Sequence, residues 1–583
     1  MKKTTRNNSL VGSQRIYILT AVIAILAGII LARLYVLQVL AFPKYRALAE
    51  GQHYAFSELT AKRGEIFLKN GKDGEYPLAV NKEYPFVYLE PRRIKNDENK
   101  EKITEKLSEI LKINRAEIEK KLADSRSMFK IVKKKLSKDE VEKIKKLKMK
   151  GVKISAETRR YYPGNKLASQ VVGFVGWNGK KFCGRYGLEA WWDKELRGKN
   201  GSLKQERDSA GRWMSITDRD IVSAQDGANL YLTIDNAVQY EVEKILDKTV
   251  EKHQADGGTI VVQDPTTGKI LAMANYPDFN PNEYGKVEDM SVFSNPAVSS
   301  AYEPGSVFKT FTLATGIDLG VISPDTTYVD TGVVKKSGYE IRNSDEKGHG
   351  KQTMTQVLEK SLNTGVIFAE KLIGNKRFAD YVKKFGFGER TQIELPDESS
   401  GNIENLKNTR RDLQFYTASF GQGVTATPLQ LVDAYSAIAN GGKLMKPQIV
   451  EKIVYPNGKE TDIRPSEIRR VVKESTAKQM RKMLESVVVS GHGERAAVPG
   501  YSVGGKTGTA QVAKKGGGGY QDNFTIGTFI GIAPIEKPRF TVLVKIINPK
   551  DVQWAESSAA PAFSEVMKFL LNYYDVKLTD NTK

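Results

Sequence analysis

Apolar positions fall along this chain in three regimes. From Ile16 to Ala32 the sequence is almost unbroken apolar residues, and Leu34 to Val39, past Arg33, extend the run to a length that crosses a bilayer as one helix. Lys2, Lys3, Arg6 and Arg15 precede or border it and no acidic residue occurs before Glu50, so the positive-inside rule assigns residues 1–14 to a cytoplasmic tail, 15–40 to the anchor and the remainder to the extracytoplasmic side. A cleaved signal peptide is the alternative, but the continuation through Leu34, Leu37 and Leu40 leaves no clear small-residue cleavage site, and an uncleaved anchor is expected. Between Lys95 and Lys150 the pattern turns helical: Ile103, Leu107, Ile110 and Leu111 form one apolar stripe, with lysines and glutamates facing away. From Asn229 it changes again. Leu230, Leu232 and Ile234 alternate as a strand, Val238 to Leu246 reads as a helix, and Thr259 to Val262 pairs with Ile270 to Ala274 around Asp264-Pro265-Thr266-Thr267-Gly268. Tyr501 to Val512, Phe524 to Ile532 and Phe540 to Ile547 read as consecutive antiparallel strands, with helices between Thr353 and Ile438. The expected fold class is α+β, a central antiparallel sheet flanked by helices. The glycines Gly516 to Gly519 read as a flexible hairpin loop rather than a mobile flap.

Composition narrows the function classes. At 583 residues the chain exceeds one ordinary core, and a hydrophobic fraction of 40% is ample for several. The net charge of +21 would suggest nucleic acid in a cytosolic protein, but export argues against it, and the lysine-rich helices read as solvated faces. The single cysteine, Cys183, excludes an intramolecular disulfide and has no companion motif of a thiol nucleophile. Four scattered histidines, His53, His253, His349 and His492, lack ligand spacing, so no metal or cofactor is implied.

The candidate chemistry lies in three short motifs in fixed order: Ser306-Val307-Phe308-Lys309, Ser361-Leu362-Asn363 and Lys506-Thr507-Gly508-Thr509. A serine hydroxyl is a weak nucleophile until a neighbouring base takes its proton. Residues three apart share a helix face, so Lys309 reaches Ser306 if a helix starts at Pro304-Gly305. Lys309 must then be neutral, which requires burial or a nearby cation, and Lys506 is the candidate cation. Ser361 supplies a second hydroxyl to relay a proton, and Asn363 a carboxamide toward a peptide bond. The third motif reads as a strand edge open to an extended peptide, with Gly508 allowing close approach and Lys506 and Thr507 holding a terminal carboxylate.

With these motifs the chain resembles the class B penicillin-binding proteins, peptidoglycan D,D-transpeptidases. The resemblance extends to Arg63-Gly64-Glu65-Ile66, Tyr161-Tyr162-Pro163, Gly187-Leu188-Glu189, Gly257 to Pro277, Tyr302-Glu303-Pro304-Gly305 and the Gly421 to Pro428 block, nearly the whole chain. Two departures stand out. Leu68 replaces the usual aspartate of Arg-Gly-x-Ile-x-Asp, which puts one contact of the non-catalytic domain in doubt, and Thr310 replaces a frequent proline after the nucleophile motif.

The resemblance implies a transmembrane anchor, a mixed pedestal (dimerisation) domain over 50–227, a transpeptidase domain over 228–575 and a tail over 576–583. It implies that Ser306 attacks the penultimate D-Ala carbonyl of a stem peptide, Lys309 takes the serine proton, Ser361 passes it to the leaving amine, and the N–H groups of Ser306 and Thr509 hold the oxyanion; relatives divide over which group is the base. Asn363, Lys506, Thr507, Gly508 and Thr509 bind substrate, with Lys506 charged. β-Lactams acylate the same serine, and a membrane glycosyltransferase and division-complex proteins are the expected partners. Tyr302 to Gly305 and the Gly421 block favour the septal branch over the elongation branch. A D,D-carboxypeptidase or β-lactamase is the rival enzyme, disfavoured by the pedestal and anchor. A β-lactam sensor or divisome scaffold is the rival from another class, disfavoured by three complete motifs and a tail too short for an output domain.

Overall fold

The computed structural model describes residues 8–41, 54–94, 96–206, 220–513 and 519–579. Lys2, Lys3, Arg6, Glu50 and most of the glycine run, residues 516–518, lie outside the described residues. Two compact units divide the chain, one within Met1–Lys62 and Gly198–Asp226, the other within Arg63–Arg197 and Gly227–Lys583.

The first unit holds the helix Asn8–Tyr35, continued by a π-helical turn over Val36–Leu40. The stretch Tyr17–Leu40 has a mean hydropathy of 2.3 and is long and apolar enough to cross a membrane. The unit also contains a three-stranded antiparallel sheet, Tyr54–Leu59, Gly201–Glu206 and Asp220–Val222.

The second unit is built on two larger sheets. One runs in the order Glu460–Asp462, Val450–Val454, Asn229–Asp235, Ile66–Asn70, Gly74–Leu89, Lys130–Lys133, with Val152–Tyr161 also paired to the long Gly74–Leu89 strand. Its one parallel pair sets Leu230 against Ile66, so the strand read from Leu230, Leu232 and Ile234 continues the sheet begun at Ile66 rather than starting a new one. All three of those side chains are buried, as is Leu68, whose apolar side chain joins the same core where an aspartate was expected. The stripe predicted on Asp97–Leu111 packs as read: Ile103, Leu107 and Leu111 are buried with Ile110 at their margin.

The second sheet has five antiparallel strands in the order Ile270–Tyr276, Gly257–Gln263, Phe540–Ile547, Tyr520–Ala533, Gly504–Ala513. Asn236–Lys252 and Ala555–Tyr573 share one core with it through Val242, Leu246, Phe529 and Phe563. Helices Lys309–Asp318, Pro428–Ala439 and Glu474–Ser490 belong to the other core, with Ile530 and Leu543 from the sheet's opposite face. Gly504–Ala513 is an edge strand of this sheet, packed against Glu474–Ser490 and the turn Gly305–Phe308.

Three of the sequence blocks meet in one buried charge centre. Glu189, fully buried, accepts from Arg63 Nε at 2.7 Å, from Arg160 Nε at 2.6 Å and from Tyr162 Oη at 3.3 Å, while Arg63 also reaches Asp193 at 2.8 Å. Burial alone would raise the Glu189 carboxyl, but Arg160 and Arg63 outweigh it and hold the group below its ordinary range. The main chain of Tyr162 in turn exchanges two hydrogen bonds with the Asn282 amide, at 3.0 and 2.8 Å. Glu189→Gln takes the carboxylate from the buried Arg160 and leaves Arg63 with Asp193 alone, and breaking such a centre costs about 3–5 kcal/mol. The expected outcome is a drop of several degrees in the Tm of the detergent-solubilised full chain; an unchanged Tm would show that the carboxylate is dispensable.

Candidate active site

Pro304 and Gly305 open the nucleophile segment as predicted, and its first turn, Gly305–Phe308, is a 3-10 turn that runs into the α-helix Lys309–Asp318. In a 3-10 turn residues i and i+3 eclipse, which sets Ser306 and Lys309 on one face. Ser306 is half-buried, whereas every residue of Lys309–Asp318 is buried. The helix is enclosed by aromatic rings: Phe308 lies 5.0 Å from Phe387, and Phe311 lies 5.0 Å from Phe385 and 5.3 Å from Tyr435. Thr310, the departure from proline, takes part in this packing through a 2.7 Å hydrogen bond with the Tyr435 hydroxyl, which also donates to the Val307 carbonyl at 3.1 Å.

Ser361 sits between two helices in the left-handed region, φ +56°, an uncommon conformation for a residue with a Cβ. That twist presents both its carbonyl and its hydroxyl to Lys309, whose Nζ donates to the carbonyl and, at 3.1 Å, to Oγ. The Lys309 amine is thus engaged by Ser361 in the free protein rather than by Ser306. Asn363 begins the helix Asn363–Ile373 and its Nδ2 donates to the Arg342 carbonyl at 2.8 Å.

Lys506, Thr507, Gly508 and Thr509 lie on the edge strand, in register with Ile530, Phe529, Thr528 and Gly527. A Cβ on Gly508 would stand 2.8 Å from the Pro304 carbonyl oxygen and 3.0 Å from a Val307 methyl, so the missing side chain lets the strand press directly onto the nucleophile turn. Lys506 is fully buried, and its Nζ donates to the Thr507 carbonyl and Oγ1 at 3.2 and 3.3 Å. Thr509 Oγ1 accepts from the Ala555 N–H at 3.1 Å.

The electrostatics bear out one expectation and change another. Burial first, and the Lys506 charge second, push Lys309 well below the ordinary lysine range, toward the neutral amine a base requires. Lys506 was expected to stay charged; burial pushes it down to about 7, against a smaller opposing pull from Glu556. It is therefore not a permanent cation.

Two sets of residues escaped the sequence reading. Glu303 was quoted only as part of a family block, yet its carboxylate accepts from the Gly423 N–H at 2.8 Å and from the Tyr520 hydroxyl at 3.2 Å, tying the segment before Ser306 to two others. In the same loop a Cβ on Gly421, φ +83°, would fall 2.3 Å from the Gly305 carbonyl oxygen, so this glycine buttresses the nucleophile turn. Glu556, which opposes the loss of charge on Lys506, stands 47 residues past Thr509 among residues with no motif. The glycines were the visible signal for the first set; nothing local marked the second.

Residues 258–568 match the penicillin binding protein transpeptidase domain and residues 58–232 the penicillin-binding protein dimerisation domain. The chain is 36% identical over 526 residues to stage V sporulation protein D of Bacillus subtilis, covering 89% of this chain and 79% of that protein. It is 29% identical over 571 residues to the peptidoglycan D,D-transpeptidase FtsI of Escherichia coli, covering 97% and 92%. A crystal structure of penicillin binding protein 3 from Mycobacterium tuberculosis, complexed with aztreonam, superimposes with a TM-score of 0.69 at 30% identity, covering 90% of this chain and 98% of that one. The buried lysine behind Ser306, the edge strand pressed on it and these likenesses over nearly the full length lead to one conclusion: the chain belongs to the class B penicillin-binding proteins.

Proposed function

We propose that this chain is a membrane-anchored peptidoglycan D,D-transpeptidase in which Ser306 carries the acyl group. The observation that carries the reading is the Lys309 amine, wholly buried, one 3-10 turn from Ser306 and bonded to Ser361 Oγ. Neutral Lys309 takes the Ser306 proton as Oγ attacks the penultimate D-Ala carbonyl of a stem peptide. The N–H groups of Ser306 and Thr509 hold the developing oxyanion. Ser361, already in contact with Lys309, passes the proton to the nitrogen of the departing D-Ala. An amine from a neighbouring stem then attacks the ester, gives up its proton by the same route and releases Ser306. The donor peptide pairs with the Gly504–Ala513 edge, where Thr507, Gly508 and Thr509 face its end, Asn363 serves its amide and charged Lys506 its carboxylate.

The domain scheme of tail 1–14, anchor 15–40, pedestal 50–227 and transpeptidase domain 228–575 is part of the same reading, with the catalytic domain on the extracytoplasmic face of the plasma membrane. The basic flank before the anchor supports that orientation. The septal branch, working beside a glycosyltransferase and division-complex proteins, rests on Tyr302 to Gly305 and the Gly421 block, whose residues bear directly on the nucleophile turn.

Labelling with a fluorescent penicillin followed by digestion tests the nucleophile. The label is expected on Ser306 and absent from Ser306→Ala, where only residual catalysis from binding and the oxyanion site survives; a label elsewhere would sink the assignment.

The two lysines make opposite demands on pH. Acylation needs Lys309 neutral, so its rate rises with pH on the acid side; it needs Lys506 charged to hold the penicillin carboxylate, so the rate falls as pH passes about 7. The expected second-order acylation rate is bell-shaped, and a penicillin methyl ester, lacking the carboxylate, loses the alkaline limb. Lys309→Arg, unable to give up its proton, abolishes acylation, whereas Lys506→Arg retains a slower reaction whose alkaline limb is gone. Equal failure of the two arginine variants, or an unchanged limb with the ester, contradicts this division of roles.

A further inference from the structure

Away from the Ser306 cleft, within the larger unit, the strand Val152–Tyr161 and the segment after Lys130–Lys133 meet Pro281–Lys286 around a cavity of about 510 Å³. Its walls carry the cations Lys134, Lys135, Arg159 and Arg160 against the single carboxylate Glu157. Glu157 is paired with Lys134 at 3.1 Å and Arg159 at 2.7 Å, which leaves the lining net positive. The same walls carry five aromatic residues, Tyr84, Tyr161, Tyr162, Phe182 and Tyr284. Phe182 is 61% exposed, an open apolar face beside concentrated positive charge.

Arg160 is what turns this lining into a site. Its side chain is 4% exposed, and its Nε is committed to Glu189 at 2.6 Å. Nη1 and Nη2 are both shielded from solvent and have no hydrogen-bond partner. Leaving buried guanidinium nitrogens unmade is costly, and the Nη1–Nη2 edge has the spacing that takes a carboxylate in bidentate fashion. The side chains at the rim are long and movable: Lys134 is 45% and Arg159 42% exposed.

We propose that this cavity binds a glycopeptide of the peptidoglycan class, a free carboxylate of its peptide on the free edge of Arg160 and its sugar ring faces on the aromatic wall. A forked donor beside several rings suits a cyclic ligand with a planar acid, and the established chemistry of the family puts such glycan at the protein's surface; to that extent the proposal rests on the transpeptidase reading. The ligand would span the two parts that Tyr162 and Asn282 already join, because Asn282 and Arg160 both line the cavity.

The test uses the detergent-solubilised full chain with Ser306 blocked by penicillin, so that the catalytic cleft takes no part. A soluble disaccharide-peptide fragment of peptidoglycan with free carboxylates is titrated by calorimetry. Saturable binding is expected, and it weakens roughly tenfold or more when the fragment's carboxylates are amidated, as loss of a bidentate charged pair requires. A similar loss is expected in Lys134→Ala/Lys135→Ala and in Phe182→Ala, surface changes that leave the Glu189 centre intact, and in Arg160→Lys if its Tm is kept. Absent binding, or binding indifferent to those surface variants, overturns the site. Equal binding of an acidic peptide without sugar, or full competition by inorganic phosphate, overturns the saccharide as its occupant. Fluorescent-penicillin labelling of aliquots taken before the block separates the two readings: Ser306 labelled with no fragment bound refutes this site alone, and no label refutes the transpeptidase reading itself.

Discussion

Setting the Lys309 amine in a helix with no exposed residue, where Ser361 alone bonds it, disfavours its charged form and fixes much of the surrounding architecture. The desolvation that lets a lysine act as a base at working pH requires shielding from water, and Lys309 is 1% exposed. The same burial would trap an unpaired donor, so an acceptor must be brought in. Ser361 does this by adopting φ +56°, which aims carbonyl and hydroxyl together. A strained residue beside a desolvated amine is a local expense the remaining core sustains.

The cleft itself depends on two absences of side chain. Without a Cβ at Gly508 the edge strand closes on Pro304 and Val307, and without one at Gly421 the neighbouring loop closes on Gly305. Ser306 is thereby held from two sides while the outer hydrogen-bonding edge of Gly504–Ala513 stays unpaired within its sheet. An unpaired edge is normally a hazard; here it is the surface an extended peptide can use.

Periodicity made the local elements legible. The Gly257–Gln263 and Ile270–Tyr276 hairpin, the three closing strands and the stripe on Asp97–Leu111 follow from alternation and 3.6-residue spacing. The motifs likewise announced Ser306, Lys309, Ser361 and Lys506. What sequence could not give was depth and long-range pairing. Lys506 carries no mark of being fully buried, and its fall to about 7 comes from that burial. The parallel pairing of Leu230 with Ile66 spans 164 residues, and strand propensity says nothing of partners. Glu303 and Glu556 matter through what folding brings to them, and neither stands in a spacing that could be read in advance.

Burial acts on Glu189 and on Lys309 with the same physics and opposite results. Each is almost completely enclosed, and desolvation heads the causes acting on both. Glu189 has Arg63 and Arg160 within hydrogen-bond distance, so its charge survives and cements three distant segments. Lys309 has only the like charge of Lys506 acting on it beside burial, and both push it toward the neutral amine. A buried ionisable group with counter-charges is a structural joint; one facing a like charge is a reagent held ready. Arg160 stands between these cases, paired through Nε and unpaired at both Nη atoms. That half-satisfied state is why the cavity it borders, rather than the Glu189 centre behind it, is the place where a ligand would complete the fold.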